Sequence, residues 1–254
     1  MIALFAGFLA TGCQQKTSPV TEETPLDSQQ IVDRAIEAHG GGAYQGQQIA
    51  FDFRDKYYEA ILGGGRFSYL RQFETEEGRI SDRLDNQGFT RYLGDEILPL
   101  ADSLADRYAS SVNSVIYFAL LPYFLNDAAA NKSLLGYSIL DSTDYYLIKV
   151  TFDEEGGGKD FEDEFLYWVH PETFLIDHLA YGYAVNGGGL RFRKGYNPRV
   201  VGGIRFLDYI NYQADHHRFG LTQLDSLYQA GGLTELSRIE LMEITVTPSS
   251  AAAD

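Results

Sequence analysis

The 254-residue sequence contains a single cysteine, Cys13, so no disulfide framework can form within the chain. Basic residues are also few, with 20 Lys and Arg against 36 Asp and Glu and a formal net charge of −16. Such an acidic chain is a poor electrostatic partner for nucleic acid or an anionic membrane surface, and we expect no nucleic-acid partner. One Trp stands against 18 Tyr and 16 Phe, and this excess of Tyr and Phe favours β-strands.

The N-terminal apolar run, MIALFAGFLATG (1–12), is uncharged and much shorter than the ~20 residues that a membrane-spanning helix needs. It is typical of the hydrophobic part of a secretory signal peptide. Residues 10–13, Ala-Thr-Gly-Cys, resemble the bacterial lipobox, in which the cysteine is lipidated and becomes the new N-terminus. We therefore predict a signal peptide at 1–12 and lipidation at Cys13. No Lys or Arg precedes the run, so we expect the true start upstream; the alternative is an apolar N-terminal strand with an incidental cysteine.

The composition divides the rest of the chain into a tether, one domain and a tail. Residues 14–25, QQKTSPVTEETP, offer almost nothing to bury, so we predict a lipidated cysteine and flexible tether over 13–27. A single domain is expected over 28–248, followed by a disordered tail at 249–254. The implied location is the bacterial cell envelope, on either the periplasmic or the external side of a membrane that holds the lipid anchor.

The first predicted element is a helix over residues 28–39. Asp27 or Ser28 can cap it, and Gln30 stands three residues after Asp27 as in a capping box. Its apolar residues form one stripe, and His39 lies in the last turn, where a positive charge suits the helix dipole.

Alternating apolar residues then predict a series of antiparallel strands. The predicted strands cover residues 49–58, 66–73, 79–84, 145–152, 161–169, 174–185, 190–194, 202–212 and 237–247. A helical stripe at 102–121 interrupts them, and Pro122 should end that helix. A mostly antiparallel sheet with a helix inserted midway is an α+β fold.

The segment after that stripe is unusually apolar. Residues 115–125, VIYFALLPYFL, hold more aromatic and aliphatic side chains than one helix stripe needs. One interpretation is an ordinary core plug for the sheet. The other is a lid or lining for an apolar pocket.

Several stretches together resemble the LolA/LolB-like periplasmic lipoprotein superfamily, and most closely a family of uncharacterised Bacteroidetes lipoproteins. They are AIEAHGGGAY (35–44), IAFDFRDKYY (49–58), SVNSVIYFALLPYFLND (111–127) and LYWVHPETFLIDHLAYGY (166–183), after the lipobox and tether. The resemblance implies a curved antiparallel half-barrel whose concave face, covered by the N-terminal helix and the helical insertion, takes lipid acyl chains or other apolar ligands. These motifs are structural, and no carrier residue of the superfamily maps onto a position here.

On this basis the first hypothesis is a non-catalytic, lipid-anchored protein that binds a lipid or other apolar ligand, without a cofactor. The residues expected to contact the ligand are Tyr117, Phe118, Leu121, Tyr123, Phe124, Tyr167, Trp168 and Ile176. The second hypothesis is an interaction or assembly lipoprotein of an outer-membrane complex with a filled core. The third is a metal-dependent hydrolase that uses His178, His216 or His217 with nearby acids.

The chemistry-bearing residues favour the first two hypotheses. Beyond Cys13 there is no cysteine, and the sequence has no G-x-S-x-G motif. His170 and His178 flank a predicted turn and should lie ~13 Å apart, too far to bind one metal ion. Asp215, His216 and His217 are sequence neighbours, which on a strand point to opposite faces. The acidic segment 153–164 lacks the residue order of a calcium loop and is interpreted as a solvated hairpin tip, with weak calcium binding as the alternative.

The hairpin YWVHPETFLIDHLAYGY (167–183) carries apolar residues on both faces. A sheet with one wet face needs only one apolar residue in each alternating pair. The pattern therefore predicts that this strand pair is covered on both sides.

Overall fold

In the computed structural model, the described residues are 25–156, 158, 161–184 and 187–249. The predicted signal peptide, Cys13, most of the tether and residues 250–254 lie outside them. Within this part of the chain, no helix combines the length and apolarity that crossing a membrane requires.

Three α-helices and fourteen strands make up the described fold. The helices are α1 (Ser28–His39), α2 (Asp102–Ala119) and α3 (Leu224–Gln229). The strands are β1 (Gln47–Phe53), β2 (Lys56–Gly63), β3 (Arg66–Thr75), β4 (Gly78–Asp85), β5 (Gly88–Leu93), β6 (Glu96–Ile97), β7 (Ala130–Leu140), β8 (Thr143–Phe152), β9 (Glu164–Val169), β10 (Ile176–Tyr183), β11 (Gly189–Val201), β12 (Ile204–Ala214), β13 (Thr234–Ile239) and β14 (Leu241–Pro248). Helices are few and every strand pairing is antiparallel, so the predicted α+β class with mostly antiparallel strands is confirmed.

The strands divide into two seven-stranded sheets instead of the single sheet that the sequence suggested. The first sheet has the order β14-β1-β2-β3-β4-β5-β6, and the second has the order β13-β12-β11-β10-β9-β8-β7. The predicted strand at 237–247 is in fact β13 and β14, which belong to different sheets and are separated only by Glu240. The buried carboxylate of Asp208 accepts hydrogen bonds from the Leu241 amide and from Arg199, which fixes the chain where it passes between the sheets.

Helix α1 begins as predicted. The Asp27 side chain accepts from the Gln30 amide, and the Gln30 side chain accepts from the Asp27 amide, which together form the capping box. At the other end of α1, the prediction of a positively charged His39 is wrong. The ring is buried, and its burial lowers the pKa to about 4. Nδ1 hydrogen-bonds the Ala35 carbonyl at 2.8 Å while Nε2 accepts from the Ile176 amide at 3.4 Å, so the ring is neutral.

The remaining differences from the predicted elements are local. The predicted strand 49–58 is a hairpin, because Arg54 adopts a left-handed φ of 58° and the chain turns between β1 and β2. Helix α2 stops at Ala119, and residues Tyr123–Asn126 form a 3-10 turn after Pro122. Strands β5, β6 and β7 were not predicted.

Both faces of the β9–β10 hairpin are covered, which confirms the prediction from its two-sided apolarity. Phe165, Tyr167 and Val169 pack in a core that includes α1 and Leu121. Leu166 and Trp168 pack in a separate core on the other face, with Leu224 of α3.

Candidate functional site: an aromatic cavity between the helix α2 and the two sheets

A cavity of about 800 Å³ lies between the end of α2, the following 3-10 turn and both sheets. Its aromatic and aliphatic lining comes from all of these elements. Those residues are Leu62, Phe67, Tyr69, Leu84, Tyr117, Phe118, Tyr123, Phe124, Ala129, Phe152, Phe165, Tyr181 and Tyr183. The charged lining residues are Arg66, Asp127, Asp163 and Arg191. The volume lies in the range of small-molecule pockets, and the wall combines aromatic and aliphatic side chains with polar and charged ones.

Helix α2 forms one wall because its apolar stripe is anchored against the first sheet. Val112 and Ile116 are fully buried among side chains of β1, β2 and β3. The residues between these anchors, Asn113 and Ser114, are exposed and line the cavity. The helical period therefore places Asn113, Ser114 and the aromatic residues of the last turn of α2 on the side that faces the cavity.

A buried ionic cluster holds the same helix to the sheet. The carboxylate of Asp82 on β4 is fully buried and accepts from Arg71 at 2.6 Å and from Arg91 at 2.6 Å. Arg71 also donates to the Ser111 hydroxyl of α2 at 2.9 Å, and the Arg91 guanidinium lies 3.6 Å from the Tyr108 ring centroid. Two contacts from one buried cluster therefore fix the orientation of α2.

Aromatic contacts shape the wall of the cavity where the helix ends. Tyr117 stacks on Phe124 with ring centroids 5.5 Å apart, and its hydroxyl lies 3.2 Å from that of Tyr167. Phe118 packs on Tyr181 at 5.1 Å and on Phe165 at 6.1 Å. Burial raises the pKa of Tyr117 and that of Tyr167, so both hydroxyls stay protonated.

The structure brings together only part of the predicted ligand-binding set. Tyr117, Phe118, Tyr123 and Phe124 line the cavity. Leu121, Tyr167 and Ile176 are buried in the packed core next to it. Trp168 lies on the opposite face of the second sheet, where its indole donates to the Ser138 hydroxyl at 3.1 Å.

Two polar residues of the cavity walls, Arg191 and Arg193 of β11, were not predicted from the sequence. Both alternate with Leu190 and Phe192, which pack in the core on the other face. That alternation was the signal that places both arginines on the inner face. Arg193 lines a second cavity of about 70 Å³, which adjoins the first because Ser114 and Phe118 line both.

The histidines do not form a metal centre. His178 pairs with Trp168, not with residue 166 or 167 as predicted, because a bulge shifts the register after Ile176. The rings of His170 and His178 each lie 5.9 Å from the ring of Tyr145, so they are closer than the predicted ~13 Å. The ring centroids of His216 and His217 lie 4.0 Å apart, with the rings tilted by 39°. Within the described ranges, no group of three His, Cys, Asp or Glu side chains is arranged to hold a metal ion.

The fold and the site define a two-sheet α+β protein with an internal aromatic cavity. The chain belongs to the family of unknown function DUF6503, whose model matches residues 22–241. No curated protein matches it.

The solved structures that match this chain are distant in sequence. One is a LolA superfamily protein from Nitrosomonas europaea, at 13% identity and a TM-score of 0.49, covering 87% of this chain and 94% of that chain. Another is a DUF1329 family protein from Desulfovibrio piger, at 10% identity and a TM-score of 0.47, covering 86% and 92%. A third is a putative outer membrane lipoprotein-sorting protein domain from Vibrio parahaemolyticus, at 8% identity and a TM-score of 0.39, covering 87% and 93%.

Proposed function

We propose that this protein is a lipid-anchored envelope protein that binds a lipid or another apolar ligand in its aromatic cavity, without catalysing a reaction. The observation that carries the proposal is the open space of about 800 Å³ with its aromatic wall. A chain with a filled core would leave no such space. The relationship to LolA/LolB-like carriers and to the Bacteroidetes lipoproteins, and the anchor at Cys13, are parts of the same proposal.

Burial of ligand carbon atoms is the driving force for binding. Each methylene group moved from water into an apolar wall contributes ~0.8 kcal/mol. The cavity volume lies within the ~300–1,000 Å³ range of small-molecule sites. The half-buried aromatic side chains of Tyr117, Phe118 and Tyr123 can contact a ligand without first leaving a packed core.

The first experiment fills the cavity by substitution. Ser114 is exposed on α2 and lines both cavities, so Ser114→Trp should occupy the space without disturbing the buried stripe of the helix. The matched control is Ser103→Trp, which changes an exposed serine three turns away on the same helix. Binding of oleyl alcohol is measured by displacement of a fluorescent apolar probe.

We expect Ser114→Trp to weaken binding at least tenfold and Ser103→Trp to leave it unchanged. Native mass spectrometry of the purified wild-type protein should also show a bound amphiphile. Equal binding by both variants, or a wild-type protein that binds no amphiphile, would contradict the proposal. If the wild-type protein binds no amphiphile, a stable protein partner recovered in a cross-linked pulldown would favour an assembly role.

A further inference from the structure

Two arginine–tyrosine pairs stand side by side on the inner face of the β10–β11 hairpin. Arg193 Nη2 donates to the Tyr181 hydroxyl at 3.1 Å, and Arg191 Nη2 donates to the Tyr183 hydroxyl at 2.7 Å. Tyr181 lies opposite Arg191 in the strand register, so the two pairs are neighbours. Each tyrosine oxygen accepts from an arginine, which leaves its own O–H available to a further acceptor. We call these four residues the Arg–Tyr ladder.

Neither arginine of the ladder forms an ion pair with a carboxylate among the described residues. In contrast, Arg71 and Arg91 are paired with Asp82, and Arg205 with Asp177.

Arg193 is the more buried of the two. It is only 7% exposed, and its buried Nε has no hydrogen-bond partner among the described residues. Its guanidinium lies 3.7 Å from the ring centroid of Phe118, a cation–π contact that offsets part of the cost of burial. A buried cation with an unused donor is costly unless an acceptor is supplied, and an anionic group is the acceptor that repays most of that cost.

The position of the ladder connects it to the apolar space. Arg191 and both tyrosines line the larger cavity, and Arg193 lines the smaller one. Among the described residues, Arg66, Arg191, Asp127 and Asp163 are the charged side chains that line the larger cavity, and Arg193 is the charged side chain that lines the smaller one. The smaller cavity, of about 70 Å³, has room for several water-sized groups and hence for a small headgroup.

We propose that the Arg–Tyr ladder binds the anionic headgroup of an amphiphile whose apolar chain lies in the larger cavity. Guanidinium N–H groups and tyrosine O–H groups are together suited to the oxygens of a carboxylate or a phosphate. This inference rests on the proposed function and narrows it to a chemical class of ligand.

The test compares chains that differ only in the headgroup. Oleate, oleoyl lysophosphatidic acid and oleyl alcohol are each titrated below their micellar concentrations, with displacement of a fluorescent apolar probe as the measurement. The variants are Arg191→Gln and Arg193→Gln. The matched control is Arg79→Gln, an exposed arginine on β4 that pairs with Glu74.

We expect the wild-type protein to bind at least one of the two anionic ligands tenfold or more tightly than the alcohol. Each ladder variant should reduce that preference about tenfold, because a charge-assisted hydrogen bond to the anion is lost. Arg79→Gln should change neither affinity. Whichever anion binds more tightly identifies the headgroup as carboxylate or phosphate.

The outcomes separate the two proposals. If the alcohol binds as tightly as both anions, the headgroup site is overturned and the apolar cavity function stands. If none of the three ligands binds, both are overturned. If Arg193→Gln does not fold, Arg191→Gln together with Tyr181→Phe decides, since the latter keeps the ring and removes only the hydroxyl. An unchanged preference for the anions in both of these variants would contradict the proposal that the Arg–Tyr ladder binds the headgroup.

Discussion

Two buried histidines, His39 and His178, show how one residue type can have two different environments. Burial lowers the pKa of each to about 4. His39 uses both ring nitrogens in hydrogen bonds. His178 is 5% exposed, and its ring packs against Tyr145, Phe192 and Tyr228. Neither of its ring nitrogens has a hydrogen-bond partner among the described residues. An aromatic ring without polar atoms would suit this position.

At the residue scale, we predict that His178→Phe makes the stability less sensitive to acid. A histidine whose folded pKa is about 4 and whose unfolded pKa is 6.5 stabilises the fold above pH 6.5. That contribution, about 3 kcal/mol, is lost as the pH falls from 6.5 toward 4. The free energy of unfolding, measured by urea denaturation at several pH values, should therefore fall less steeply in the variant. A curve for His178→Phe that runs parallel to the wild-type curve would count against the neutral His178.

At the scale of elements, α2 is positioned by an ionic cluster as well as by apolar packing. Asp82 balances one of the two arginines, and those arginines in turn reach Ser111 and Tyr108 of the helix. Removal of the carboxylate would leave two guanidinium groups, 5% and 8% exposed by residue, without an anion. The helix that forms a wall of the cavity thus depends on a charge in the neighbouring sheet.

We predict that Asp82→Asn lowers the free energy of unfolding by about 3–5 kcal/mol, the usual cost of breaking a buried ion pair. The matched control is Glu74→Gln, which removes an exposed partner of Arg79 and should cost less than about 1 kcal/mol. Chemical denaturation followed by circular dichroism measures both. Similar losses in the two variants would show that the buried cluster contributes no more than a surface pair.

For the whole molecule, we expect the cavity to bind the ligand and the predicted anchor at Cys13 to attach the protein to a membrane, as two separate roles. The described lining of the cavity comes from residues between Gln45 and Arg191, whereas Cys13 lies outside the described residues. A lipid on the cysteine would hold the domain at a membrane through the tether, and two lipid-type signals are generally needed for stable anchoring.

We predict that Cys13→Ser releases the protein from the membrane fraction of a bacterial host, because the serine lacks the thiol that carries the lipid. Fractionation followed by immunoblotting measures the distribution. Purified Cys13→Ser protein should bind oleyl alcohol as the wild-type domain does. If the variant stays in the membrane fraction, the lipobox interpretation is wrong.

Local signals in the sequence predicted the ends and faces of many elements. The Asp27–Gln30 spacing located the start of α1, and the apolar spacing over residues 102–121 predicted helix α2. Strand β7 was missed because Leu135, Tyr137 and Ile139 are exposed, so its pattern does not separate an inner from an outer face. The division between β13 and β14 at Glu240 was missed because the residues alternate through it without a turn signal.

The cavity could be predicted only in part. Its aromatic wall at 115–125 was identified, but an excess of apolar residues is equally typical of a filled core. The space itself depends on how far two sheets stand apart, which no local pattern encodes. The Arg–Tyr ladder depends on the register between β10 and β11, which brings residues ten apart in sequence together.

The passage of the chain from β13 to β14 has a mechanical consequence. It joins one sheet to the other at this side, and the segment that contains α2 joins β6 to β7 at the opposite side. Every described strand pairing lies within one sheet, so the spacing of the two sheets across the cavity is set by side-chain contacts and by α2, not by backbone hydrogen bonds between strands. A change in that spacing would therefore leave all described strand pairings intact.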